Sequence, residues 1–258
     1  MLSIKNICIL FKSGLLFILI SSCNSNTSSN GIIIATAANM QPAITEISSS
    51  FSKKTGINCK IVVSSSGKLT AQIKEGAPYN VFVSANMKYP REIYSQKLGL
   101  TSPKIYGYGK LVLWSAIDSI TPSTSLLTNS KIKHIAIANP KTAPYGTAAI
   151  EVLEHYNLYD SIASKLVYGE SISQTNQFIL SKSASIGFTA MSVVLDEKIK
   201  KIGKWVALDS TAYSPIAQGV IIINQNIVKN KNATAFYEYL FSKEGQEIVK
   251  KYGYSINE

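Results

Sequence analysis

The chain has 258 residues, of which 46% are apolar and only 16% charged. That balance excludes a disordered or fibrous protein and supports one large domain, or two of ordinary size, around a buried core. The formal charge is +11, yet Arg91 is the only arginine. Bidentate reading of bases and phosphates favours arginine, so the composition points away from nucleic acid and leaves the lysines as a solvated face.

Residues 1–22 read as an export signal and not as fold. Lys5 and Lys12 precede a short apolar run, Leu15 to Ile20, which is too short to span a bilayer. The run ends in Ile20-Ser21-Ser22-Cys23, which resembles a bacterial lipobox. That resemblance implies acylation of the Cys23 thiol and cleavage just before it. Residues 23–30 are polar and read as a flexible tether. With Cys8 removed and Cys23 lipidated, Cys59 is the one remaining thiol, so the mature fold has no internal disulfide. His134 and His155 lack any ligand spacing, and no metal site or catalytic constellation is expected from them.

From Gly31 onward, strand and helix alternate. The apolar run Gly31–Ala38 suits a buried parallel strand. Asn39 opens a helix with Pro42 in its first turn and Ile44, Ile47 and Phe51 on one face, and Gly56 stops it. A second strand covers 57–63. The turn Ser64-Ser65-Ser66-Gly67 leads into a helix carrying Leu69 and Ile73, and Val81–Val83 forms a third strand. This order implies an α/β lobe with helices on both faces of a mostly parallel sheet. Leu111–Trp114 and Ile135–Ala138 begin a second series, with helices opening at 144–147 and 171–173 and a strand at 185–188. A late strand, Val220–Ile223, and two closing helices return to the first lobe. The expected division is residues 31–109 plus 218–258 for lobe 1 and 110–217 for lobe 2, with two crossovers between them.

Four strand-to-helix turns share one design: Ala38-Asn39, Ser64–Gly67, Pro144–Thr147 and Ser171–Ser173. A helix start carries unpaired N–H groups and about half a positive charge, so it holds an anion without a charged side chain. Any one of these turns also reads as an ordinary cap, since Ser, Thr and Asn are the usual capping residues. Four such turns in one chain together point to an anion site. A serine acyl-enzyme is the rival from another class: Ser65-Ser66-Gly67-Lys68 fits S-x-x-K, Ser84-Ala85-Asn86 fits S-x-N, and Lys141-Thr142-Ala143 nearly fits K-T-G. The short interval from Ser65 to Ser84, and the turn-like Asn139-Pro140 before Lys141, speak against it.

These stretches resemble the periplasmic molybdate-binding proteins of ABC importers. The matching residues are Ala37-Ala38-Asn39, Val63 to Leu69, Ile73 to Pro78, Val81 to Ala85, Ala138 to Gly146, Gly169 to Gln174, and the closing Lys251 to Tyr254. The resemblance implies a type II clamshell closing on a tetrahedral oxyanion, molybdate or tungstate, through neutral hydrogen bonds. It assigns Ala38 and Asn39 to the first turn, Ser66 to the second, the backbone N–H of Tyr145 to the third and that of Ile172 to the fourth. Ala190 stands where some relatives carry a ligating tyrosine, so that phenol contact is lost. The implied protein is a monomeric, lipid-anchored, extracytoplasmic binding protein with no cofactor and no enzymatic activity, which delivers its anion to an ABC permease. A sulfate-type oxyanion is the alternative ligand.

Overall fold

The computed structural model describes residues 31–224 and 227–256. The expected signal, tether and lipid-bearing Cys23 lie outside the described residues.

The first sheet is built from β1 (Gly31–Ala37), β2 (Asn58–Ser64), β3 (Val81–Ser84), β4 (Lys104–Gly109) and β10 (Ile216–Ile222), in the order β2-β1-β3-β10-β4. The second contains β5 (Leu111–Ser115), β6 (Ile135–Ala138), β7 (Leu166–Gly169), β8 (Ile186–Ala190) and β9 (Lys204–Ala207), in the order β7-β6-β8-β5-β9. In each sheet four strands run in one direction and one, β10 in the first and β5 in the second, runs against its two neighbours. The sheets are therefore mixed. The strands that follow a crossing, β5 and β10, enter their sheets in the reverse sense to the helix-connected strands.

The helices of the first lobe are α1 (Gln41–Thr55), α2 (Ser66–Lys74), α3 (Lys88–Ser95), α8 (Ile227–Leu240) and α9 (Lys243–Lys251). Those of the second are α4 (Pro144–His155), α5 (Tyr159–Ile162), α6 (Ile172–Leu180) and α7 (Met191–Val194). Strand alternation assigns the faces. In β1, Ile32 and Ile34 pack with Ile44, Ile47 and Phe51 of α1 and with Phe236 of α8, while Ala35 faces Leu69 and Ile73 of α2. Ile44, Ile47 and Phe51 are at most 1% exposed, and burial of each contributes about 1.5–3 kcal/mol. In the second sheet Leu111, Leu113 and Phe188 face α4, while Val112 and Trp114 pack toward Ile179 of α6 and Val194 beside them.

Two crossings join the lobes. One is the step Gly109-Lys110-Leu111 from β4 to β5. The other is the return from β9 through a short helical turn, Ser210–Ala212, into β10. Gly56, at φ 72°, ends α1 in the left-handed conformation expected of a helix-stopping glycine.

Candidate functional site

The strand-to-helix turns meet at one place. Ala38 and Asn39 belong to a single helical turn, Ala38–Met40, between β1 and α1. Ser66 is the first residue of α2, and the hydroxyl of Ser65 caps that helix by accepting from the Lys68 N–H. Tyr145 is the second residue of α4, after Pro144. Ile172 is the first residue of α6, capped by Ser171. A small cavity between the lobes is lined by Ala38, Asn39, Ser66, Tyr145 and Ile172, together with Ala37, Ser65, Ala85, Ala143 and Pro144. All five residues singled out from the sequence are therefore brought together. Two helix starts come from each lobe.

The lining carries no Asp, Glu, His, Lys or Arg. Its donors are those of helix first turns, whose N–H groups have no partner within the helix. Ser66 is fully buried, and its Oγ accepts a 3.0 Å hydrogen bond from the Ala85 N–H. With one lone pair engaged there, the hydroxyl proton is left to be donated. Gly146 follows Tyr145, and a Cβ there would overlap the Ala138 carbonyl; glycine lets α4 start this close to the end of β6.

Asn39 departs from the simplest expectation. Its amide does not point into the cavity. Nδ2 donates to Gln218 Oε1 at 2.8 Å and to Tyr254 Oη at 2.9 Å, so both amide hydrogens are engaged behind the cavity wall. What Asn39 offers the cavity is its backbone at the start of the helical turn. The Asn39 carbonyl accepts from Ser192 Oγ at 2.6 Å, a contact from the second lobe. Tyr254 Oη lies 3.1 Å from the same carbonyl and 3.2 Å from Ser192 Oγ. Burial pushes the Tyr254 hydroxyl up to about 12, against the pull of its hydrogen bonds with Ser192 and Asn39, so it keeps its proton at neutral pH. Gln218 completes the set by donating to the carbonyls of Ala85 (3.2 Å) and Ile216 (2.9 Å). Sequence reasoning missed Gln218 and gave Tyr254 no role. The available signal was one polar residue inside the apolar run Ile216–Ile222, where a buried amide requires partners.

Three contacts hold the lips of the cleft together. The Gly67 N–H donates to the Thr142 carbonyl at 3.0 Å, Tyr89 Oη donates to the Lys141 carbonyl at 3.3 Å, and Lys68 Nζ pairs with Glu170. This pairing bears on the acyl-enzyme rival. The Lys68 ammonium goes to Glu170 across the cleft, and the Ser65 hydroxyl is occupied as a helix cap. Ala190 ends β8 opposite Leu111 and is not among the residues that line the cavity. A much larger concavity, about 1320 Å³, lies along α1 and α9 and is lined by polar, apolar and charged side chains, among them Lys53, Lys54, Glu244 and Glu247. Of the four turns it touches only Ala38 and Ser173, at its margin.

The family model of bacterial extracellular solute-binding proteins matches residues 32–255. The chain belongs to this family. A molybdate-binding protein ModA of Rhodobacter capsulatus is 36% identical over 224 residues, covering 86% of this chain and 87% of the relative. A putative ABC transporter substrate-binding lipoprotein of Bacillus subtilis is 28% identical over 247 residues, covering 93% of this chain and 94% of the relative. Among solved structures, the periplasmic molybdate-binding protein of Azotobacter vinelandii superposes with a TM-score of 0.83 at 32% identity, over 88% of this chain and 100% of that one. The fold seen here is that of the Azotobacter structure.

Proposed function

We propose that this solute-binding protein captures molybdate or tungstate between its lobes and hands it to an ABC permease. The observation that carries the reading is the convergence of four helix starts on one buried cavity lined without a charged side chain. Molybdate is fully deprotonated at neutral pH and needs donors only. Phosphate keeps a proton that needs an acceptor, commonly a carboxylate, and none lines this cavity. Several N–H and O–H donors, desolvated together, bind a doubly charged oxyanion strongly without a counter-charge. Size disfavours sulfate, which is smaller. The names of the relatives from Rhodobacter and Azotobacter support the same ligand.

Closure is a hinge motion about the two crossings, Gly109–Leu111 and the return into β10. The contacts between Gly67 and Thr142, and between Lys68 and Glu170, belong to the closed form that presents the loaded protein to the permease. Cys23 carries the lipid that tethers a monomer to the membrane outside the cytoplasm, a reading supported by the lipobox-like sequence and by the Bacillus relative's name. A Cys23→Ser protein is expected to leave the membrane fraction, and its retention there would sink the anchor.

Thermal melting tests the ligand class. An anion at one hundred times its Kd stabilises by about 2.7 kcal/mol. For a protein of this size that is a rise of roughly 5–10 °C. Molybdate and tungstate are expected to raise the midpoint while sulfate and phosphate leave it in place. Equal shifts with sulfate would move the protein to the alternative ligand.

A further inference from the structure

Tyr145 spans the distance from the cavity to the hinge. Its backbone stands in the first turn of α4 and lines the cavity, while its ring crosses to β4 and β10. There the hydroxyl packs on the bare Cα face of Gly109, where any Cβ would overlap it, with Gln218 alongside. The side chain is only 2% exposed. Burial holds the phenol well above its ordinary pKa, with Tyr254, Tyr106 and Tyr213 adding to the rise and the nearby Asn39 amide pulling the other way. Yet the hydroxyl completes no hydrogen bond of normal geometry; Asn39 and Tyr254 lie beside it but are committed to each other. The polar groups around it are otherwise engaged: Asn39 Nδ2 with Gln218 and Tyr254, and Gln218 Nε2 with Ala85 and Ile216.

A buried hydroxyl without a partner carries a desolvation penalty. Here the penalty attaches to one arrangement of the lobes. Tyr145 belongs to the second lobe, and the groups that enclose its hydroxyl, Gly109, Gln218, Asn39 and Tyr254, belong to the first lobe and to the hinge. Parting the lobes draws the hydroxyl out of that enclosure into water, which hydrogen-bonds it. We propose that Tyr145 is a positioning residue that couples capture to closure: its hydroxyl disfavours the closed form, so the ligand-free protein stands open until bound anion offsets that cost. An open resting form keeps an empty carrier distinct from a loaded one. It also lowers the apparent affinity by the fraction of protein that is binding-competent.

This inference rests on the anion-capture reading, and its test separates the two. The Tyr145→Phe protein keeps the backbone N–H in the α4 first turn and loses only the hydroxyl. Three quantities are compared with wild type in the mature protein: the ligand-free radius of gyration by small-angle scattering, the melting midpoint, and the molybdate Kd. The expected result is a smaller ligand-free radius, a higher midpoint and a Kd lower by about tenfold. A Tyr237→Phe protein is the control. Tyr237 also has a buried, unpartnered hydroxyl, but inside the first-lobe core. It is expected to raise the midpoint without changing radius or Kd. An unchanged radius in Tyr145→Phe, or a Kd that stays equal or rises, would overturn the proposal. Failure of wild type to bind molybdate would refute the ligand reading alone, since the ligand-free radius still decides the role of the hydroxyl.

Discussion

Asn39 and Gln218 lie 179 residues apart in the chain and are joined by a 2.8 Å hydrogen bond with both side chains at most 1% exposed. The bond ties the first helix start of the cavity to β10, the strand that re-enters the first lobe after the second crossing. Site and hinge are thus one hydrogen-bonded unit, with Tyr254 closing it from the C-terminal end.

Asn39→Ala removes both donors and leaves Gln218 Oε1 with only a 3.4 Å contact from Tyr106. Stranding a buried acceptor costs about 1–3 kcal/mol. Denaturant unfolding is expected to show a loss of that size, together with weaker anion binding. An unchanged midpoint would mean that the amide network contributes nothing to the fold.

Ser66→Ala tests the cavity itself. It deletes one charge-assisted donor, a change of about 1.5–3 kcal/mol, or roughly 10- to 150-fold in Kd. The helix cap is Ser65, so α2 remains and the circular dichroism spectrum is expected to match wild type. Unchanged affinity would remove Ser66 from the site.

Gly67→Ala acts on closure. A Cβ there would stand 2.9 Å from Tyr89 Oη and 3.0 Å from Thr142 Cα, across the cleft. The lips would be wedged apart while each lobe keeps its own core. Weaker binding is expected with little change in unfolding midpoint of the ligand-free protein. By contrast Glu170→Gln, which removes an exposed ion pair, is expected to shift affinity only a few-fold, with the shift vanishing at high salt.

Acid should loosen α9 from α1. Glu244 is held down to about 2 from an ordinary 4.5 by hydrogen bonds from Ser50, then Tyr239 and Lys54. For Glu46 burial pushes upward, but hydrogen bonds from Lys251 and Tyr252 outweigh it and its pKa is lowered. A carboxylate with a depressed folded pKa stabilises above its unfolded pKa, and that stabilisation is lost as pH falls through the folded value. The expected unfolding curve therefore declines below about pH 4.5 and continues to about pH 2. A Glu244→Gln protein should show a shallower acid limb. An identical limb would discount the carboxylate.

Much of this was legible in the sequence because its causes are local. Buried parallel strands announce themselves as short apolar runs, as at Gly31–Ala37 and Ile135–Ala138, and small or hydroxylated residues before a helical pattern mark the turns that became the cavity wall. Strands without an apolar run gave no signal. β4, Lys104–Gly109, and β9, Lys204–Ala207, are edge strands with several exposed residues, and their place was set by pairing with β10 and β5. α3, with buried Tyr89, Pro90 and Ile93, was missed because its eight residues are too few to show a helical period. The direction of the Asn39 amide could not be read locally either. It is fixed by Gln218 and Tyr254, which arrive from the far end of the chain.

The most direct test of the central claim is isothermal titration of the lipid-free domain, residues 31–258, with molybdate, tungstate, sulfate and phosphate. Molybdate and tungstate are expected to bind tightly one-to-one, and sulfate and phosphate to give no heat. No heat from any of the four would contradict that claim, and the four helix starts would then be ordinary caps around a cavity built for something else.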